Sequence, residues 1–114
     1  MTGNFRSIDA AAVFDPIKAG KADLYSGRQL FVGLNCFEPG QSQQTHVHTG
    51  ADKFYLVVSG KARITVGNET QEVGAGTIVW APADIPHGVE RALERTIMLV
   101  GMAPPPGGVT RPAG

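Results

Sequence analysis

The residues of this chain best suited to chemistry are its three histidines: His46 and His48, one residue apart, and His87, alone. Along a β-strand successive side chains point to opposite faces, so His46 and His48 share a face and Val47 takes the other. One strand therefore offers two imidazoles side by side. Neutral imidazole ligates divalent transition metals, and a third imidazole from a neighbouring strand would fill three coordination positions while leaving others open. Zn, Fe, Ni, Cu, Co and Mn all suit such a donor set, and ligand softness does not choose among them. The single cysteine, Cys36, lies in an apolar run, so the chain can form neither an intramolecular disulfide nor a multi-cysteine metal site. A buried free thiol is expected.

The elements that must position these histidines read as strands. Fifteen glycines and eight prolines punctuate the 114 residues at short intervals. The segments between them are rich in Val, Ile, Leu, Phe and Thr rather than in helix-period patterns. Candidate strands are Ala22–Tyr25, Gln29–Phe37, Gln43–His48, Lys53–Val58, Ala62–Val66, Thr70–Val73, Thr77–Trp80, Gly88–Arg91 and Thr96–Gly101. So many short strands predict an all-β sandwich or barrel. Ser59-Gly60 and Gly67-Asn68 have the chemistry of tight reversals, which makes 53–73 an expected antiparallel meander.

A chain of this length fits one domain with a real core. Residues 1–10 read as an N-terminal arm that wanders or adds an edge strand, 11–103 as the working domain, and 104–114 as an extended or disordered tail rich in proline and glycine. Ten basic and ten acidic residues cancel, and no Lys/Arg run or basic aromatic stripe occurs. A nucleic-acid partner is not expected. No apolar run is long enough to span a bilayer, and the N-terminus lacks a basic segment followed by an apolar stretch. The expected compartment is the cytoplasm, with no membrane partner. In Lys53–Val58 both faces are apolar or aromatic beyond the first residue, which calls for a second covering layer. An intrachain layer or a second copy, making a homodimer, would each supply it.

Two longer patterns surround the histidines. The first runs from Gly40 as G-QSQQT-H-V-H-TGAD-K-FYLVVS-G, and the second from Gly76 as G-TIVWA-P-ADIP-H-GVE. Both resemble the paired signature motifs of the cupin superfamily, with Gly40, His46, His48, Gly60, Gly76, Pro82 and His87 in register. The closing MAPPPG looks like a C-terminal element of small bacterial single-cupin proteins. The resemblance implies a single jelly-roll barrel of two antiparallel sheets, with a metal held inside by His46, His48 and His87. It departs at three places: the motif glutamate, usually a fourth ligand, falls on Lys53, the second motif's glycine on Asp84 and its closing asparagine on Glu90.

Lys53 has three readings. It could anchor an anionic substrate beside the metal, its ammonium could reach Asp52, Asp84 or Glu90, or the strand could slip to turn Asp52 inward. Tyr55 shares the Lys53 face, as wall or as hydroxyl donor, and Glu90 and Asp84 are rim carboxylates that would serve as general base if they reached the site. Lys53, Tyr55 and Glu90 are thus the candidate catalytic residues. Trp80 with Ile78, and Met98 with Val100 and Met102, read as barrel wall. The expected function is a small metal-binding protein that binds, and on one reading transforms, a small anionic or carbonyl-containing metabolite. As an enzyme it would be a dioxygenase, isomerase or decarboxylase. The alternative is a non-catalytic binding module for a sugar, metabolite or metal.

Overall fold

A computed structural model describes residues 3–106 and 110–112. A short helix, α1 (Ile8–Ala11), is followed by strands β1 (Gly20–Ser26), β2 (Phe31–Phe37), β3 (Gln43–His48), β4 (Asp52–Ser59), β5 (Lys61–Val66), β6 (Glu69–Gly74), β7 (Ile78–Ala81), β8 (His87–Ala92), β9 (Thr96–Ala103) and β10 (Thr110–Pro112). They form two five-stranded sheets, ordered β1-β2-β9-β4-β7 and β10-β3-β8-β5-β6, and every pairing is antiparallel. This is the two-sheet all-β barrel expected from the alternating sequence.

The inner faces follow the two-residue period. On β4, Lys53, Tyr55 and Val57 are buried between the sheets, while Phe54, Leu56 and Val58 turn outward and are only partly covered. Tyr55 and Val57 join Phe37, Ile64, Val89, Met98 and Val100 in the main core. A second apolar cluster lies on the outer face of the first sheet, where Ile8, Ala11, Ala12 and Phe14 cover Leu34, Cys36 and Ile97. The N-terminal arm thus supplies part of the second layer as a short helix and a loop, rather than as an edge strand. The Arg95 guanidinium lies 3.6 Å from the centre of the Phe14 ring and pairs with Glu38 at 3.0 Å, pinning this flap. Beyond the flap, Trp80 is 63% exposed and Ile78 45% exposed. Residues 107–109 and 113–114 of the expected tail lie outside the described residues, and Thr110–Pro112 pair with β3.

The expected meander over 53–73 does not form. β5 and β6 make the hairpin, joined by Gly67-Asn68, but β4 pairs with β9 and β7 in the other sheet. Ser59-Gly60 is therefore a corner between sheets, entered through a register shift between Val57 and Ser59. Gly60 makes the corner possible: its φ is 90°, and a Cβ there would collide with the Arg95 carbonyl oxygen and with Thr96. Gly67 also has a positive φ, 58°, but a Cβ there would meet only Ile85 Cγ2 at 3.5 Å. Gly67→Ala should accordingly cost about 1 kcal/mol, the left-handed backbone alone, and Gly60→Ala at least about 2 kcal/mol more, because backbone must also move. Urea midpoints at unchanged m-value would show the difference, and equal midpoints for the two variants would contradict the corner assignment.

Candidate metal centre

The three histidines come together because β3 and β8 pair with His46 opposite His87. The ladder shifts register between Gln43 and His46, so β3 bulges against β8. Gly88 accommodates the bulge, since a Cβ there would lie 2.8–2.9 Å from the Gln43 carbonyl oxygen and the Thr45 backbone. His48, at the end of β3, is held by the turn before His87. The Asp84 backbone N–H donates to the His48 carbonyl at 3.0 Å, and its carboxylate accepts the Gly50 N–H at 3.1 Å. Asp84 has φ 67°, the left-handed conformation that a glycine would adopt without strain. Aspartate is among the few side chains that tolerate it. The departure from glycine at this position therefore keeps the required backbone and adds a tie to the β3–β4 turn.

Two of the imidazoles are oriented by backbone carbonyls. His46 Nδ1 lies 2.8 Å from the Gln44 carbonyl and His87 Nδ1 3.0 Å from the Ile85 carbonyl. A carbonyl only accepts, so both Nδ1 atoms carry the proton and both Nε2 atoms present lone pairs, the usual backing for a metal-bound histidine. The Nε2 atoms of His46 and His48 are 3.0 Å apart, and the three candidate donor atoms lie within 4.8 Å of one another. Two nitrogens each about 2.0–2.1 Å from a shared ion would be separated by roughly 3 Å. His87 is 1% exposed, and its Nε2 is buried without a hydrogen-bond partner among the described residues. Such an orphaned acceptor costs free energy unless something fills the gap. The donor set fits a divalent transition metal.

Burial lowers the pKa of all three imidazoles, and the nearby Lys53 ammonium adds to the effect, bringing His48 and His87 down to about 4. At neutral pH all three are neutral ligands. Lys53 itself is 7% exposed, faces inward opposite Met102 and Ala81, and holds its Nζ 4.6 Å from the centre of the Tyr55 ring. Burial, with a smaller push from the Lys21 charge, lowers its pKa to about 8. The strand does not slip: Asp52 is exposed and accepts the Ala83 N–H at 2.9 Å. Nor does Lys53 reach a carboxylate. Asp84 is committed to Gly50, and Glu90 is exposed, 3.7 Å from Arg63 Nε, away from the histidines. Tyr55 is fully buried, with its hydroxyl donating to Gln43 Oε1 at 2.7 Å. Burial raises its pKa, so it is a neutral donor that fixes Gln43.

A pocket of about 520 Å³ opens beside His46 and His48, with Lys53, Gln43, Asn35 and Lys21 among its polar lining and Phe31, Val100 and Met102 among its apolar lining. Of these, Gln43, Asn35 and Lys21 were not singled out from sequence. Asn35 carried the clearest missed signal, a lone amide inside the apolar run Leu34–Phe37.

The family model described as "Cupin domain" matches residues 33–100, which include all three histidines. An uncharacterised protein of Streptomyces coelicolor is 38% identical over 78 residues, 68% of this chain and 73% of that protein. A dimethylsulfoniopropionate lyase of Ruegeria pomeroyi is 30% identical over 76 residues, 67% of this chain and 49% of the lyase, so the chain spans about half that enzyme's length. A solved structure from Thermus thermophilus superposes with a TM-score of 0.86 at 31% identity, covering 91% of this chain and all of that one.

Two expectations follow for the metal-free protein. His48 and His87 titrate near 4 when folded and near their ordinary 6.5 when unfolded, so the unfolded chain binds more protons between those values. Stability should be complete above about pH 6.5 and fall as pH drops toward 4. Thermal melts across that range test this, and a slope unchanged in a His48→Ala/His87→Ala double variant would refute it. Asp84→Ala should cost about 1–2 kcal/mol and loosen metal binding, whereas Asp84→Gly should recover the conformational part, as chemical denaturation and metal titration would show.

Proposed function

The chain belongs to the cupin family, and from that premise we propose that it is a small metal-binding cupin whose pocket takes up a small anionic or carbonyl-containing metabolite. His46, His48 and His87 would hold one divalent transition metal. The observation that carries this reading is the convergence of three neutral imidazoles, two of them backed by backbone carbonyls and one with a buried, unpartnered Nε2. When bound, such a metal supplies Lewis-acid polarisation of a ligand oxygen. The chain's own residues do the rest. Phe31, Val100 and Met102 shed water from the pocket, Tyr55 holds Gln43 in one orientation, and Lys53 presents a cation to whatever enters.

Catalysis by a dioxygenase, isomerase or decarboxylase is compatible with this arrangement, and the lyase relative acts on a molecule whose name includes a propionate carboxylate. A second reading, a non-catalytic binding module, is favoured by the placement of the carboxylates. The carboxylates of Asp52 and Asp84 are held by backbone N–H groups and that of Glu90 lies near Arg63, which leaves Asp23 as the one carboxylate on the pocket lining among the described residues. A panel of keto acids and oxygen-uptake assays separates the two. The apolar outer face carrying Phe54, Leu56, Ile78 and Trp80 supports a homodimer, since an exposed patch of this kind marks an interaction surface. The buried thiol of Cys36 is in keeping with a cytoplasmic setting.

Elemental analysis of the purified protein should find about one transition-metal ion per chain, and His48→Ala should lose it. Added divalent ion at about a hundredfold over its Kd should raise the melting temperature of the wild type by several degrees. No stoichiometric metal and no thermal shift would end the metal reading. For the dimer, light scattering should give twice the chain mass, and Trp80→Asp should halve it. A wild-type monomer would remove that part of the proposal.

A further inference from the structure

Two polar side chains of the pocket have no hydrogen-bond partner among the described residues. Lys53, 7% exposed, makes no hydrogen bond or ion pair among them, and its Nζ lies 4.6 Å from the centre of the Tyr55 ring. Asn35, 5% exposed, makes no side-chain hydrogen bond among them either. Both residues line the same cavity, where water or a ligand can satisfy their polar atoms. Lys21 adds a second cation. It pairs in register with Asn35 across β1 and β2, so it projects from the same face as Asn35, and it lines the cavity. Its charge is felt at Lys53, His46 and His48.

The pocket lining therefore carries two cations, Lys53 in electrostatic reach of the histidines and Lys21 in register with Asn35, with Phe31, Val100 and Met102 among its apolar lining. Asp23 also lines the wall, so two lysines stand against one carboxylate, and the protein's own charge in the pocket is positive by one before any metal is counted. The geometry points to a doubly anionic ligand, a small dicarboxylate, with one carboxylate at Lys53 beside the histidines and the other at Lys21 and Asn35. A ligand carrying a cationic head, such as a sulfonium or quaternary ammonium, is disfavoured by the same two lysines. This deepens the proposed function by naming its ligand class, but it rests on the pocket and not on the metal.

The test is isothermal titration of the purified protein, and in parallel of chelator-treated protein, with malonate, succinate, glutarate and adipate against butyrate as the single-carboxylate control. At least one diacid should bind about tenfold or more tightly than butyrate, the worth of one charge-assisted contact. Lys21→Gln, on an exposed position of an edge strand, should weaken that diacid several-fold more than it weakens butyrate. Lys53→Gln should weaken both, and Lys53→Arg should restore part of the loss, which guards against a folding defect in the glutamine variant. Butyrate binding as tightly as every diacid, or Lys21→Gln without effect on the diacid, overturns the inference. The two readings fail separately: a diacid preference that depends on Lys21 in protein that holds no metal would sink the metal and keep the anion site, and bound metal with no diacid preference would do the reverse.

Discussion

The structure is organised around one constraint, the convergence of three imidazoles inside a barrel. His46 and His48 bring their Nε2 atoms to hydrogen-bonding distance, 3.0 Å, and His87 buries its own with no partner among the described residues. Leaving a buried acceptor unsatisfied costs about 1–3 kcal/mol. The chain meets that cost with backbone rather than with side chains. The β3–β8 register sets His46 opposite His87, Gly88 lets the bulge close, and the Gln44 and Ile85 carbonyls turn two rings the same way round. Asp84 then ties the end of β3 to the turn that delivers His87. Remove any one of these and the rings lose their common focus, while the rest of the barrel would still have its core.

Lys53 reverses the electrostatics expected at its position. A glutamate there would offset a divalent charge, whereas an ammonium adds to it, a change of two charge units at one site. At an effective dielectric of 20, a unit charge about 5 Å away is worth roughly 3 kcal/mol, so the swap is not a small perturbation. The fold accommodates the ammonium by placing it over the Tyr55 ring, where the π-face offers partial compensation, and its pKa falls to about 8. That compensation is incomplete. Tyr55 cannot become an anion, because burial raises its pKa and its proton is given to Gln43. Asp23 is the one carboxylate on the pocket lining among the described residues, and the proposed anionic ligand would supply further negative charge.

The strands were legible because alternation and glycine punctuation are local signals, and β3 runs over Gln43–His48 as the spacing of its polar and apolar residues indicates. What local signals could not carry was the assignment of strands to sheets. Ser59-Gly60 reads equally well as a hairpin turn or as a corner, and only the non-local pairing of β4 with β9 decides it. The pocket suffered the same way. Asn35, Gln43 and Lys21 lie on three strands and converge only through tertiary structure, so no spacing along the chain announces them. Asp84 was visible as a departure from glycine, but as a rim carboxylate rather than as a left-handed backbone position. The tolerance of aspartate for positive φ was the available clue.

Holding a metal and a lysine in one pocket links their occupancies. A divalent ion on the three imidazoles and the Lys53 ammonium raise each other's energy through a medium that water screens poorly. An anion lodged between them lowers the energy of both. Linkage is reciprocal, so whatever factor an anion adds to metal retention, the metal adds to anion affinity. A glutamate at position 53 would weaken that coupling, because the site would be closer to neutral before the ligand arrived. Replacing a carboxylate by lysine thus trades intrinsic metal affinity for dependence on the ligand's charge. A barrel that held both would respond to metal and anion together more than to either alone, whether or not the bound molecule is chemically changed.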